Sequence, residues 1–256
     1  MTYSIALAGK GGTGKTTICG LFIDHLATSG KGPILAVDAD ANSNLNEVLG
    51  VEKPVSLGDI REEIARAELA EQNPIPPGMS KQEYMDFRFA SAIVEEDSYD
   101  LLVMGRTQGK GCYCYVNDVL REQLRKYYQN YRYLIVDNEA GLEHISRGIL
   151  PAVDLMVLVS DCSRRGIEAA GRIASMIGEL GIDARQTGLI VNRAPGGEIN
   201  DGIREEIARQ GLVLFGVIPQ DPLVYDYDSA GKPLVQLPTE SPVRVALGNI
   251  IQTLGH

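Results

Sequence analysis

A glycine-rich segment near the start of the sequence, GKGGTGKTT at residues 9–17, constrains the fold more than any other feature. It satisfies the phosphate-loop pattern in full, with a glycine, four residues, a second glycine, a lysine and a threonine: Gly9, Gly14, Lys15 and Thr16. Residues 3–8 before it are apolar and predict a short buried strand, and residues 16–28 after it are apolar at helical spacing. This context favours a nucleotide-binding strand, loop and helix over an ordinary glycine-rich turn.

The residue types in this loop suit the binding of a nucleotide triphosphate. Glycine lets backbone N–H groups turn inward around phosphates, and the helix N-terminus behind them adds partial positive charge. We expect Lys15 to reach the β- and γ-phosphates, Thr16 to ligate Mg²⁺ and Thr17 to donate to the α-phosphate. The residues expected to hold the phosphates are Gly11, Gly12, Thr13, Gly14, Lys15, Thr16 and Thr17.

Composition excludes several classes of partner. The 256 residues carry 24 Lys and Arg against 34 Asp and Glu, a formal net charge of −10. An acidic chain disfavours a broad nucleic-acid or anionic-membrane footprint, so we expect neither partner. The sequence has no run apolar enough to span a bilayer and no leader pattern before the phosphate loop, which predicts a cytoplasmic protein.

Strand-like and helix-like segments alternate along the whole chain. Further apolar runs predict strands near 34–38, 101–104, 133–137, 155–159, 188–191 and 213–218. Helical patterns cover residues near 57–71, 116–128, 164–180, 200–210 and 242–254. The alternation predicts one α/β domain over residues 1–256, a mostly parallel sheet with helices on both faces and the ligand at the carboxyl ends of the strands.

Acidic residues follow two of these strands. Asp137 begins the segment DNEAG, where an acid can hold Mg²⁺ directly or through water, although a helix-capping Asp is the simpler alternative. Asp38 and Asp40 lie in DADANSN after the second strand. Given the phosphate loop upstream, we favour the metal role for Asp137.

Three of these marks together resemble a known family: Lys10 inside the loop, Asp-x-Asp after the second strand, and DNEAG. They are similar to the MinD/ParA/nitrogenase iron-protein family of deviant Walker A phosphate-loop ATPases, and the resemblance covers nearly the whole chain. It implies a homodimer with ATP between two subunits, in which Lys10 reaches the partner's phosphates. It also implies catalytic roles for Lys15, Asp38, Asp40 and Asp137. We assign Asp40 to the attacking water and Asp38 to the Mg²⁺ environment, although these two roles are interchangeable on sequence grounds.

The resemblance also implies an adenine pocket late in the chain. Asn192 follows a strand in VNR, at the place where family members have an adenine-binding asparagine. An amide side chain offers the donor and acceptor that an adenine edge needs. Pro219, Gln220 and Asp221 match a loop whose backbone lines the base pocket in this family.

The segment GCYCY carries a pair of cysteines, Cys112 and Cys114. Two thiolates two residues apart supply half of a tetrahedral metal site, so a symmetric dimer would supply four sulfurs on its axis. Nickel and zinc both suit such ligands, and unliganded cysteines beneath a loop are the structural alternative. Cys19 and Cys162 are expected to be small buried hydrophobes.

The cysteine pair separates three hypotheses for function. It resembles the CooC-type nickel-maturation ATPases, which implies ATP-dependent delivery of Ni²⁺ to the Ni–Fe–S centre of carbon monoxide dehydrogenase by a dimer that depends on nucleotide and metal. An iron–sulfur reductase or scaffold is the second hypothesis, although DNEAGLEH has no cysteine. A MinD- or ParA-like positioning ATPase is the third, although the final segment has one Arg and predicts a packing helix rather than a basic membrane anchor.

Overall fold

The computed structural model describes residues 2–40, 44–70, 73–105, 122–138 and 152–256. Within them, eight strands form one sheet in the order β3-β4-β2-β5-β1-β6-β7-β8. The strands are β1 Tyr3–Ala8, β2 Ile34–Ala39, β3 Ile93–Glu95, β4 Asp100–Val103, β5 Tyr133–Asn138, β6 Ala152–Asp161, β7 Asp183–Ala194 and β8 Leu214–Pro219. All pairings are parallel except the one between β3 and β4 at the edge.

Helices connect these strands over both faces of the sheet. In the described residues they are α1 Lys15–Thr28, α2 Leu45–Leu49, α3 Leu57–Leu69, α4 Lys81–Ser91, α5 Arg164–Glu179, α6 Asp201–Arg209, α7 Pro222–Ser229 and α8 Pro242–Thr253. Residues 122–127 are also helical. No helix in this part of the chain is long and apolar enough to cross a bilayer.

The predicted α/β class and the mostly parallel sheet are confirmed. The elements α2, α4, β3 and α7 were missing from the prediction. Helix α4 lies in the connector after residue 78 and has a local start signal, because Ser80 and Glu83 form a reciprocal capping box. Strand β3 is three residues long and pairs antiparallel with β4, so periodicity alone gave little indication of it.

Two apolar cores lie on opposite faces of the sheet. Helices α1, α2 and α8 pack on one face, and α3, α5 and α6 pack on the other. Cys19 of α1 is fully buried in the first core, as expected, whereas Cys162 is only partly buried against the second.

The alternation of side chains along β2 and β5 decides where their terminal acids point. Along β2, Ile34 and Ala36 lie in the core on the α1 face, and Leu35 and Val37 lie in the core on the other face. Side chains alternate along a strand, so Asp38 is on the α1 face. The same alternation along β5 puts Asp137 on the α1 side. Asp38 and Asp137 are also paired in the parallel register of the two strands, so two carboxylates lie side by side under α1.

Helix α1 lies against α2 through a glycine. A Cβ at Gly20 would collide with the side chain of Val48, whereas a Cβ at Gly178 of α5 would meet no atom within 4 Å. We expect Gly20→Ala to lower the free energy of unfolding by about 1–3 kcal/mol, because overpacking outweighs the helix propensity of alanine. Gly178→Ala, the matched control, should raise it by up to about 1 kcal/mol.

Urea denaturation of both variants measures these changes. Equal free energies of unfolding for the two variants would show that α1 and α2 do not pack closely at Gly20.

Candidate nucleotide site

The loop between β1 and α1 is an open cradle of backbone groups. Gly12 and Gly14 have left-handed φ angles of 82° and 89°, which glycine adopts without strain. The Thr13 hydroxyl donates to the Lys10 carbonyl at 2.9 Å and closes the loop from within. A Cβ at Gly11 or Gly12 would meet no atom within 4 Å, so the space next to these backbone groups is free.

The N-terminus of α1 has no side-chain cap. Its N-cap residue is Gly14, and its first turn contains no acidic residue. Helices α4, α5, α6 and α7 are each capped by an accepting side chain, from Ser80, Ser163, Asn200 and Asp221. The uncapped N–H groups and the helix dipole of α1 therefore form an anion site at the phosphate loop.

The predicted phosphate ligands lie around this helix start. Lys15 is buried, Thr16 and Thr17 are half-buried, and Lys10 is exposed. Lys10 forms no ion pair with any residue that the structure describes. The side chain of Lys10 thus projects from the site, while Lys15 is held within it.

Asp137 is a buried carboxylate without a hydrogen-bond partner in the described residues. It is 1% exposed, and neither Oδ1 nor Oδ2 makes a hydrogen bond of full geometry with a described residue; the Thr16 hydroxyl is the nearby donor that acts on its pKa. Burial raises its pKa to about 7; the nearby Thr16 hydroxyl and Lys15 lower this pKa, and Asp38 and Asp40 raise it. Burial thus outweighs the help that Thr16 and Lys15 give to the ionised form of Asp137.

Asp38 is buried as well, but its oxygens are engaged. Oδ1 accepts the Asp40 N–H and Oδ2 accepts the Leu45 N–H, each at 3.0 Å. Burial raises the pKa of Asp38 to about 6, and these two backbone donors limit the increase. Asp38 therefore accepts backbone N–H groups from Asp40, which is half-buried, and from Leu45 at the start of α2.

The donor set fits Mg²⁺. Thr16 and Asp137 would hold the ion, because a hydroxyl and an unpartnered carboxylate are hard oxygen ligands and Mg²⁺ prefers these. When bound, Mg²⁺ would neutralise charge on the β- and γ-phosphate oxygens.

A cavity of about 330 Å³ lies beside the phosphate loop. Its lining includes four of the predicted base-pocket residues together with Thr17 of α1: Asn192, Pro219, Gln220 and Asp221. The structure thus brings the ends of β7 and β8 to one cavity that adjoins the phosphate end of the site.

Asn192 connects this cavity to the phosphate loop. Its Nδ2 donates to the Thr13 carbonyl at 2.9 Å, and its Oδ1 accepts the Arg193 N–H at 2.9 Å. These bonds use half of the hydrogen-bonding capacity of the amide, which has two N–H groups and two lone pairs. Asn192 therefore positions the loop in addition to any contact with a base.

The Asp221 carboxylate fixes the cavity wall. It caps α7 by accepting the Leu223 N–H at 3.0 Å, and it also accepts the hydroxyl of Ser241 at the start of α8. Its side chain is thus used within the protein, which leaves its backbone for the lining role implied by the resemblance.

Sequence reasoning missed two residues of this site. Arg193 has a left-handed φ of 57°, and its Nη1 donates to the Gly12 carbonyl at 3.1 Å. Tyr225 lies on the cavity wall and is exposed. The sequence indicates neither, because Arg193 is 181 residues from its acceptor and the cavity forms only in the folded chain.

The predicted metal ligands Cys112 and Cys114 lie outside the described residues, as does Gly141 of DNEAG. Among the residues that are described, no three His, Cys, Asp or Glu side chains group closely enough to hold a metal ion.

Comparison with known proteins is consistent with this geometry. A model of the CobQ/CobB/MinD/ParA nucleotide binding domain matches residues 4–234. The chain belongs to this family. It is an ATP-binding protein of the MinD/ParA ATPase type, with the phosphate loop as its nucleotide site.

The relatives of this chain include proteins with different named functions. An uncharacterised ATP-binding protein of Methanocaldococcus jannaschii is 41% identical, with 93% of each chain covered. The carbon monoxide dehydrogenase accessory protein CooC of Rhodospirillum rubrum is 30% identical over 89% of this chain and 87% of its own length. The cell-division ATPase MinD of Pyrococcus furiosus has the same fold, with a TM-score of 0.68 at 23% identity over 99% of this chain and 100% of that one.

The raised pKa of Asp137 predicts a pH-dependent stability. Folding raises this pKa from 3.8 to about 7, so the folded protein binds the proton more tightly than the unfolded chain. The contribution of Asp137 to stability is therefore fully present below about pH 4 and is lost as the pH rises to about 7.

Asp137→Asn removes the charge and should raise the free energy of unfolding of the nucleotide-free protein at pH 8 by roughly 1–3 kcal/mol. The gain should vanish at pH 4, and thermal denaturation at both values measures it. A variant that is less stable than the parent at pH 8 would mean that Asp137 has a positive partner in the free protein.

Proposed function

We propose that this protein is an ATP-dependent metallochaperone that binds nickel through Cys112 and Cys114 at a dimer interface and assists its insertion into the Ni–Fe–S centre of carbon monoxide dehydrogenase. The observation that carries the proposal is the cysteine pair in a chain that is 30% identical to an accessory protein of that enzyme. The nucleotide site supplies the energy source, and the cysteine pair supplies the ligands for the cargo.

The nucleotide half of the proposal rests on charge. Three groups favour the triphosphate, namely the uncapped N–H groups of α1, the buried Lys15 and the hydroxyl of Thr16. Asp137 and Thr16 would hold the cofactor Mg²⁺, with Asp38 in its environment while it accepts the N–H groups of Asp40 and Leu45, and Asp40 would orient the attacking water. The base enters the cavity beside Asn192, Pro219 and Gln220.

Lys10 supplies the trans part of the site. Its side chain is exposed, whereas Lys15 is buried. A lysine that projects from one subunit can bring positive charge to the partner's phosphates only after the dimer closes, which is the logic of an arginine finger. Nucleotide binding and dimer closure are then the same event.

Backbone hydrogen bonds at the carboxyl ends of β2 and β4 join Asp38 to Met104, which precedes the cysteine segment in the sequence. The Met104 N–H donates to the Asp38 carbonyl at 2.8 Å, and the Met104 carbonyl accepts the Gly58 N–H at 2.9 Å. Residue 105 then has a left-handed φ of 66°, and the cysteine segment follows it in the sequence. The backbone of Asp38 is therefore hydrogen-bonded to a residue that lies eight positions before Cys112 in the sequence.

The working cycle follows from these couplings. ATP favours the closed dimer through Lys10, and nickel favours it through four cysteine sulfurs, so each ligand raises the affinity for the other. Docking to the client enzyme triggers hydrolysis, and reopening of the dimer separates the two cysteine pairs. The cargo is then held by two thiolates instead of four, which weakens its binding.

The nickel site is tested by metal stoichiometry. We expect one Ni²⁺ per dimer in equilibrium dialysis, with the dimer mass confirmed by light scattering, and loss of both in Cys112→Ser/Cys114→Ser. Cys162→Ser is the matched control, because Cys162 is partly buried elsewhere in the chain and should leave metal binding unchanged.

Three other results would contradict the nickel proposal. Metal binding and mass that do not change in the double variant would make the cysteines structural. A brown chromophore bleached by reductant would indicate an iron–sulfur protein. Zinc bound at the same site but no transfer of nickel to apo carbon monoxide dehydrogenase would remove the client from the proposal.

The trans role of Lys10 predicts complementation between two inactive variants. Lys10→Ala lacks the lysine, and Asp40→Ala lacks the group that orients water, so each alone should lose ATP hydrolysis. Mixing them in equal amounts should restore about a quarter of the parent rate, because half of the dimers are mixed and each has one complete site.

Steady-state phosphate release measures the restored rate. No recovery in the mixture, with dimers present by light scattering, would mean that Lys10 acts on its own subunit's nucleotide.

A further inference from the structure

Tyr225 exposes a large aromatic ring at the wall of the cavity. Its side chain is 74% exposed, more than any other exposed large hydrophobic residue in the described part of the chain, including Phe87 at 60%. It contributes to the lining of the cavity of about 330 Å³ beside the phosphate loop. A ligand that covers an exposed aromatic ring at the edge of a cavity buries a large apolar area.

The cavity has the composition that a heteroaromatic base requires. Val224, Leu234 and Val243 make part of the wall apolar, and the amides of Asn192 and Gln220 are polar groups in the same lining. Planar bases present two π-faces and a polar edge, so they suit a pocket with apolar walls and a few amides.

Thr17 sets the direction of the ligand. It lies in the first turn of α1, directly after the phosphate loop, and it also lines the cavity. A nucleotide whose phosphates occupy the loop therefore has its base on the side where Tyr225 lies.

Helix α7 holds Tyr225 in place before any ligand arrives. Asp221 caps this helix and also accepts the Ser241 hydroxyl, so its first turn is attached to the start of α8. Tyr225 lies four residues after Asp221, on the same side of the helix. Because the backbone at Tyr225 is already in place, only the side chain has to be ordered when a base stacks on it.

We propose that Tyr225 stacks on the base of the bound nucleotide and forms the outer wall of the base pocket. This inference rests on the nucleotide half of the proposed function and is independent of nickel. It makes Tyr225 a binding residue that recognises the base and has no contact with the phosphates.

The sequence offers a direct optical test, because the chain contains no tryptophan. Tyr225→Trp places a single tryptophan at the proposed stacking position, so its emission is separable from that of the tyrosines. We expect ATP and ADP to quench its emission and inorganic tripolyphosphate to leave it unchanged. Phe87→Trp, which places the fluorophore at another exposed aromatic position on α4, is the matched control and should respond to none of the three.

Affinity measurements complete the test. By calorimetry, Tyr225→Ala should weaken ATP and ADP binding by about tenfold and leave tripolyphosphate binding unchanged, and Tyr225→Phe should bind all three as the parent does. Parent-like ATP affinity in Tyr225→Ala, or an equal loss for tripolyphosphate, would overturn the stacking role and leave the proposed function intact. A parent protein that binds no ATP would overturn both.

Discussion

Two carboxylates held out of water at the ends of neighbouring strands govern this site. Asp38 and Asp137 are paired in the register of β2 and β5 and face the same side of the sheet, under α1. Burial raises the pKa of both acids, because a buried charge is poorly solvated. Asp38 raises the pKa of Asp137 further, because like charges repel. The nearby groups that favour the ionised forms are backbone donors for Asp38, and Thr16 and Lys15 for Asp137.

This arrangement gives the two acids different tasks. Asp38 uses both oxygens on backbone N–H groups and organises the loop that contains Asp40. Asp137 has no hydrogen-bond partner in the described residues, and in the free protein it reduces stability at neutral pH. The uncapped start of α1 is a second place where interactions are left unmade. We expect both to become favourable when a magnesium nucleotide supplies the missing charges, which would make the site a region where stability is exchanged for function.

Features that depend on residues close together in the sequence could be predicted from the sequence. The phosphate loop, the acids at strand ends and the alternation of strands and helices are local patterns, and they led to the observed parallel sheet. The edge strand β3 was not predicted, since three residues of pairing carry too little periodicity. Asn192 was expected to contact a base, and its bond to Thr13 joins residues 179 positions apart, which no local pattern can indicate.

The same limit applies to the cavity. Arg193 and Tyr225 belong to it because β7, β8 and α7 meet there; Arg193 follows Asn192 in VNR, but that motif does not indicate its bond to Gly12. Asp221 was predicted as a lining residue from the resemblance, but its carboxylate also attaches α7 to α8. The roles of Cys112 and Cys114 rest on the sequence and on the relationship to CooC, and they remain predictions.

We expect Asp137 to be the acidic ligand of the magnesium nucleotide. A crystal structure of the Asp40→Ala protein with Mg²⁺ and ATP would test this in one measurement. We expect the ion bound to Thr16 and the γ-phosphate, with Asp137 about 2.1 Å away or joined through one water. An ion held at the phosphates with Asp137 still unpartnered, or paired with a side chain instead, would contradict the account.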